Sequence, residues 1–137
     1  SEPPVILENM PALHPNRYLF ESEPSVINKV LEETGCKLLL DLAHARIAAQ
    51  ARRMSPEAYL SALPLEKSVQ IHLAGVRAGR DGRLFDAHET LTDEDYRLLE
   101  WTLERVQPEW LTLEYFREDS LAVAQQLERV QEFASQA

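Results

Sequence analysis

The chain has 137 residues, 45% of them hydrophobic and 27% charged, enough to bury a core as one domain spanning 1–137 and too ordinary in composition for a disordered polymer. Its net charge of −9 speaks against a broad phosphate-binding surface, because nonspecific nucleic-acid affinity comes from Lys and Arg displacing counterions. No apolar run approaches the roughly 18 residues of a membrane span, and Ser1-Glu2-Pro3-Pro4 is no signal peptide, so a cytoplasmic protein without a membrane partner is expected, with the single Cys36 as a buried free thiol.

In chain order, Val5-Ile6-Leu7 predicts a first strand that ends in Glu8 and Asn9, followed by a loop in which His14 reads as a plain loop histidine. A helix follows from Pro24, with Val26, Ile27, Val30 and Leu31 on its apolar face and Gly35 as its stop. Leu38-Leu39-Leu40 predicts a second strand ending in Asp41, with His44 three residues on. Ser55-Pro56-Glu57 caps and starts a helix with Tyr59 and Leu60 inward. The third strand, Val69-Gln70-Ile71, ends in His72, and the glycine-containing stretch from Ala74 to Gly82 reads as a mobile loop that leads to Asp86-Ala87-His88. Thr92 with Asp93, Glu94 and Asp95 caps a helix running to about Val106 and ended by Pro108. Leu111-Thr112-Leu113 is the fourth strand, ending in Glu114, and the last helix presents Leu121, Ala124, Leu127, Val130 and Ala134 as a core-facing stripe. Trp101 and Trp110 are expected to pack in the core or between helices. Strands alternating with helices predict an α/β fold of four βα units with a TIM-barrel type parallel sheet.

Each of the four strands ends in a residue able to bind a metal or move a proton: Glu8, Asp41, His72 and Glu114. In a parallel sheet all such ends lie on one side, so these residues converge, and His44, Asp86 and His88 fall beside them. His, Asp and Glu are the ligands of catalytic Zn, Mn and Fe sites, and carboxylates can bridge two ions. The plainer alternative is that Asp41 and Asp86 cap helices while the histidines satisfy local hydrogen bonds. Asn9 is a candidate for holding a ligand carboxylate or a substrate. The clusters Arg46, Arg52, Arg53 and Arg77, Arg80, Arg83 read as a solvated face or as a clamp for phosphate or carboxylate, with Arg46 and Arg77 the substrate-binding candidates.

The order Glu8, Asp41-x-x-His44, His72, Asp86-x-His88, Glu114 resembles the later metal ligands of the endonuclease IV and xylose isomerase-like barrels. Leu38-Leu39-Leu40-Asp41, the run from Tyr59 to Leu65, Ile71-His72-Leu73-Ala74-Gly75 and Asp86-Ala87-His88 are most similar to the multinuclear-iron family that includes the methanobactin biosynthesis enzyme. That resemblance implies half of a barrel with two or three divalent metal ions at its mouth. Iron is the first choice, with Mn and Zn as others. It further implies oxygen-dependent modification of a cysteine-containing peptide and a small partner protein that presents the peptide. It covers the family's second half, so a homodimer of halves or a missing N-terminal half is expected. The chain departs from the family at Ala43-His44, where a pair of asparagines is usual, and at Val76, where histidine is common. A divalent-metal sugar isomerase or phosphodiesterase, or a half-barrel that serves only as an interaction module, are the competing readings.

Overall fold

The computed structural model describes residues 2–13 and 15–136; His14 lies outside them. Four strands, β1 (Ile6–Glu8), β2 (Lys37–Asp41), β3 (Ser68–Ala78) and β5 (Trp110–Glu114), pair in parallel in the order β1-β2-β3-β5. Helix α1 (Pro24–Thr34) links β1 to β2, α2 (Leu42–Ala51) and α3 (Pro56–Ser61) link β2 to β3, α4 (Asp93–Leu103) precedes β5, and α5 (Ser120–Gln136) follows it. This is the α/β arrangement expected of part of a TIM-type barrel.

Side chains alternate across each strand, and one face of the sheet is covered by helices. Leu38 and Leu40 of β2 and Ile71 and Leu73 of β3 are buried there with Ile27, Leu31, Tyr59, Leu60 and Leu99, and Leu7, Leu111 and Leu113 pack against the same core. Tyr59 fills the centre and donates its hydroxyl to the buried Ser22 carbonyl at 2.5 Å, so its polar tip is satisfied. The opposite face carries Glu8, Leu39, Gln70, His72, Thr112 and Glu114, all half-buried. Whatever the helices do not cover is thus where the strand-end residues point.

Several local expectations need correction. The stretch after His72 is no mobile loop: β3 runs on to Ala78, turns through residues 79–83, and returns as the antiparallel strand β4 (Leu84–Glu89). Asp86 and His88 therefore stand on a strand that folds back over the sheet, and His72 lies within β3 rather than at its end. The hairpin is held on its outer side by Gln50 of α2, whose amide accepts from Leu84 N and donates to the Gly82 carbonyl. In α5 the predicted stripe holds only at Val130, which is buried; Leu121, Ala124, Leu127 and Ala134 are exposed, and Gln126 is buried in place of Leu127. Gln126 faces inward because its Oε1 accepts from the Leu91 backbone N–H at 2.9 Å, a donor that nothing apolar would satisfy. Val30 and Trp110 are exposed, Trp101 and Cys36 half-buried. Thr92 does cap α4, in a reciprocal box with Asp95, but the helix stops at Leu103 rather than near Val106.

Candidate metal centre

Gly75 is where the site begins to take shape. A Cβ at this position would overlap the backbone carbonyl oxygens of Glu89 and Thr90, and the β3–β4 register shifts between Gly75 and Val76. Only a residue without a side chain lets the end of β4 pass this close to β3. The passage curls β4 over the open face and swings Asp86 and His88 toward the ends of β1, β2 and β5. His88 takes a left-handed backbone (φ 50°), which costs a side-chain-bearing residue strain. Its ring stacks on Phe116 with centroids 4.2 Å apart, and its carbonyl accepts from Phe116 N at 3.0 Å, tying β4 to the segment after β5.

The strand ends deliver two groups of ligand atoms. Glu8, Asp41, His72 and Glu114 each offer one atom within 4.8 Å of the others, and Asp41, His44 and Asp86 form a second such group. Asp41 belongs to both, so its carboxylate sits between them. His88 Nε2 closes the ring of residues at 3.3 Å from Asp86 Oδ2 and 3.8 Å from Glu114 Oε2. All seven residues singled out from the sequence as metal candidates lie in this one cluster.

Asp41 is 1% exposed, and its placement is over-determined. Its Oδ1 accepts from His44 N at 2.9 Å, capping α2, so the capping role and membership of the cluster coexist. Asn9, equally buried, clasps its backbone with two hydrogen bonds: Asn9 Nδ2 donates to the Asp41 carbonyl at 3.1 Å, and Asp41 N donates to Asn9 Oδ1 at 2.8 Å. The Asn9 carbonyl lies 2.8 Å from His44 Nδ1 and accepts its proton, which leaves Nε2 facing Asp86 Oδ2 at 3.3 Å and Asp41 Oδ2 at 3.5 Å. Asn9 thus holds two members of the cluster from behind. The arginine candidates are engaged internally: Arg46 binds Asp95 at 2.5 Å and Glu94 at 2.8 Å, and Arg77 binds the Val76 carbonyl and Thr90 Oγ1.

The electrostatics are those of a site that favours bound positive charge. Burial pushes Asp41 up to about 7, further raised by Asp86 and Glu8, against the lowering effect of His44. Burial pulls His44 down, but Asp86, Asp41 and the Asn9 carbonyl outweigh it and raise the ring to about 9. Four carboxylates gathered around three imidazoles repel one another unless protons or metal ions neutralise them. Two buried atoms in the cluster, His72 Nδ1 and Asp86 Oδ1, lack any hydrogen-bond partner. His72 Nδ1 lies 2.5 Å from Glu114 Oε1 and 3.2 Å from Glu8 Oε2, yet in no orientation that makes a hydrogen bond. Unpartnered atoms gathered in one cluster suit a metal ion, and the donor set of carboxylates and imidazoles suits first-row divalent ions.

Three features of the site were not foreseen from the sequence: the membership of Asp41 in both ligand groups, the need for Gly75, and the pair Gln70–Thr112 beneath His72, linked by a 2.8 Å hydrogen bond. Only Gly75 left a signal, as a glycine within an otherwise strand-like run.

Residues 2–135 match the family described as RiPP precursor modification enzyme MbnB/TglH/ChrH. The chain is also similar to UPF0276 proteins: 36% identical to that of Paraburkholderia phytofirmans over 77% of this chain and 36% of the relative. It is 37% identical to that of Caulobacter vibrioides over 64% of this chain and 31% of the relative. The UPF0276 protein of Bordetella pertussis is 37% identical, over 77% of this chain and 38% of the relative. The chain therefore spans about a third of the length of the curated relatives it matches. No helix among the described residues is long and apolar enough to cross a membrane.

Proposed function

This chain belongs to the MbnB/TglH/ChrH family of RiPP precursor modification enzymes, and from that premise we propose that it contributes the metal centre of an enzyme that modifies a cysteine-containing peptide in an oxygen-dependent reaction. Iron is the proposed metal, two or three ions held by Glu8, Asp41, His44, His72, Asp86, His88 and Glu114. The observation that carries the reading is that Asp41 belongs to both ligand groups, so that it would be the residue shared between neighbouring ions. When bound, iron supplies one-electron redox chemistry and reactivity toward oxygen, which a peptide thiol and its backbone lack by themselves.

The protein's own groups prepare that chemistry. Asn9 fixes the Asp41 backbone and orients His44 so that Nε2 faces the cluster. His44 must give up its Nε2 proton before that atom can act as a ligand, so metal binding would release that proton to solvent. Phe116, exposed and stacked on His88, offers a flat apolar surface at the rim, where a peptide side chain can rest while its thiol reaches the cluster. A phosphate-directed alternative finds no support in Arg46, whose charge is paired with Asp95 and Glu94, and Arg77 spends its hydrogen bonds on the Val76 carbonyl and the Thr90 hydroxyl.

Among the described residues β1 and β5 each pair along one edge only, and open edges of a sheet are completed by further strands. We propose that a second copy or an additional segment completes the barrel, of which residues 1–137 are one half, that a small partner protein presents the peptide, and that the protein works in the cytoplasm. The test is to load the protein with iron anaerobically, add a cysteine-containing peptide and its presenting partner, and admit oxygen. A peptide mass change that requires both iron and oxygen and vanishes in His72→Ala is expected. Equal turnover with Zn or Mn in the absence of oxygen would contradict the reading.

A further inference from the structure

His72 presents its two ring nitrogens to different surroundings. Nδ1 is buried, faces Glu8 and Glu114, and has no hydrogen-bond partner. Nε2 lies 3.1 Å from the side-chain nitrogen of Gln70, two residues back on the same face of β3. That same Gln70 nitrogen donates to Thr112 Oγ1 of β5 at 2.8 Å. An amide nitrogen can only donate, so in this arrangement His72 Nε2 accepts and the proton of the neutral ring sits on Nδ1. Nδ1 then carries a proton for which no hydrogen-bond partner is present and has no lone pair to offer a metal.

The ligand geometry needs the other tautomer. For Nδ1 to bind an ion, the ring proton must be on Nε2, and the atom facing Nε2 must be an acceptor. Turning the Gln70 amide by half a revolution exchanges its nitrogen for Oε1. The oxygen then accepts from His72 Nε2–H and from the Thr112 hydroxyl, which serves equally as acceptor or donor. A single amide rotation thus reverses both hydrogen bonds without leaving either group unpaired, and the neutral ring keeps the same number of protons throughout. Gln70, His72 and Thr112 all stand on the half-buried face of the sheet rather than in the helix-covered core.

We propose that Gln70 is a positioning residue for the metal centre, its amide orientation selecting the tautomer of His72 and so deciding whether Nδ1 is available as a ligand. This role rests on the metal-centre reading above and deepens it. Partners that fix the tautomer of a ligating histidine typically change metal affinity by about 10–100-fold when removed.

The test uses Zn(II) alone as a diamagnetic probe and 15N NMR of the His72 ring, which distinguishes a protonated from a bare nitrogen. In the wild-type protein the proton is expected on Nδ1 without metal and on Nε2 with Zn(II). Gln70→Glu, which presents only acceptors, should place the proton on Nε2 before metal is added and keep Zn(II) affinity close to wild type. Gln70→Leu, which gives Nε2 no partner, should weaken Zn(II) binding by about tenfold. A proton already on Nε2 in the metal-free wild type, or the same metal-free tautomer in wild type and Gln70→Glu, overturns the inference while leaving the metal centre intact. Failure of the wild type to bind Zn(II) overturns the metal centre instead, and the metal-free comparison still decides whether Gln70 governs the ring. If Gln70→Leu does not fold, the metal-free tautomer of Gln70→Glu decides the matter by itself.

Discussion

Asp41 and His44 would couple the proposed metal centre to pH. In the metal-free protein both hold their protons more tightly than an unfolded chain does, Asp41 to about 7 and His44 to about 9. The folded state therefore binds more protons than the unfolded state between pH 3.8 and 7 through Asp41 and between 6.5 and 9 through His44. Stability falls with rising pH wherever the folded state holds the excess. The metal-free protein is thus expected to melt at a lower temperature at pH 9 than at pH 6.5, and divalent metal should release protons on binding and reverse the trend, since it takes the place of those protons. Calorimetric titration in two buffers of different ionisation heat measures the release; uptake of protons would refute the assignment. Gly75 makes a second prediction at this scale. Gly75→Ala forces the end of β4 away from β3 and should cost about 1–3 kcal/mol, the usual penalty of overpacking, visible as a lowered denaturation midpoint. Because β4 carries Asp86 and His88, the same variant should lose metal affinity, whereas Gly79→Ala, whose Cβ would come no nearer than 3.4 Å to another atom, should not.

The elements that the sequence disclosed are those in which one physical pattern dominates. Leu38-Leu39-Leu40 and Leu111-Thr112-Leu113 are short apolar runs bounded by polar residues, and their closing acids Asp41 and Glu114 stand where parallel strands must end, so both strands and site were legible. Helix α2 was not, because its residues are buried nearly all round: Leu42, Ala43, Ala45, Ile47, Ala48 and Ala49 leave no polar face to set a 3.6-residue rhythm. Strand β4 was hidden for the opposite reason, since Leu84-Phe85-Asp86-Ala87-His88-Glu89 puts chemistry where a strand usually has apolar alternation. The register of α5 failed because a tertiary hydrogen bond outranked hydrophobicity, drawing Gln126 inward and leaving Leu127 outside. Gln126→Leu accordingly is expected to destabilise the protein by about 1–3 kcal/mol despite adding an apolar side chain at a buried position, because Leu91 N–H loses its acceptor. Chemical denaturation measures this, and a neutral or stabilising leucine would show that water satisfies the donor instead.

For the whole molecule, the helices cover one face of the sheet and leave the other to the cluster, so fold and site are two consequences of the same strand alternation. Seven potential ligands separated by as many as 106 residues, from Glu8 to Glu114, meet because parallel strands bring their ends to one side and because the β3–β4 hairpin bends back over them. What sequence pattern alone could not supply was the sharing of Asp41 between two groups, which depends on the depth of β2 in the sheet and on the clasp from Asn9. Metal content shows whether Asp41 is shared in this way. The measurement is elemental analysis of anaerobically iron-loaded protein, wild type beside Asp41→Ala and Glu114→Ala, each checked for its native circular dichroism. About two or more ions are expected per folded wild-type chain, as bridged carboxylate sites hold, with a partial loss in Glu114→Ala and loss from both groups in Asp41→Ala. A folded Asp41→Ala variant that keeps the wild-type iron content would contradict that sharing.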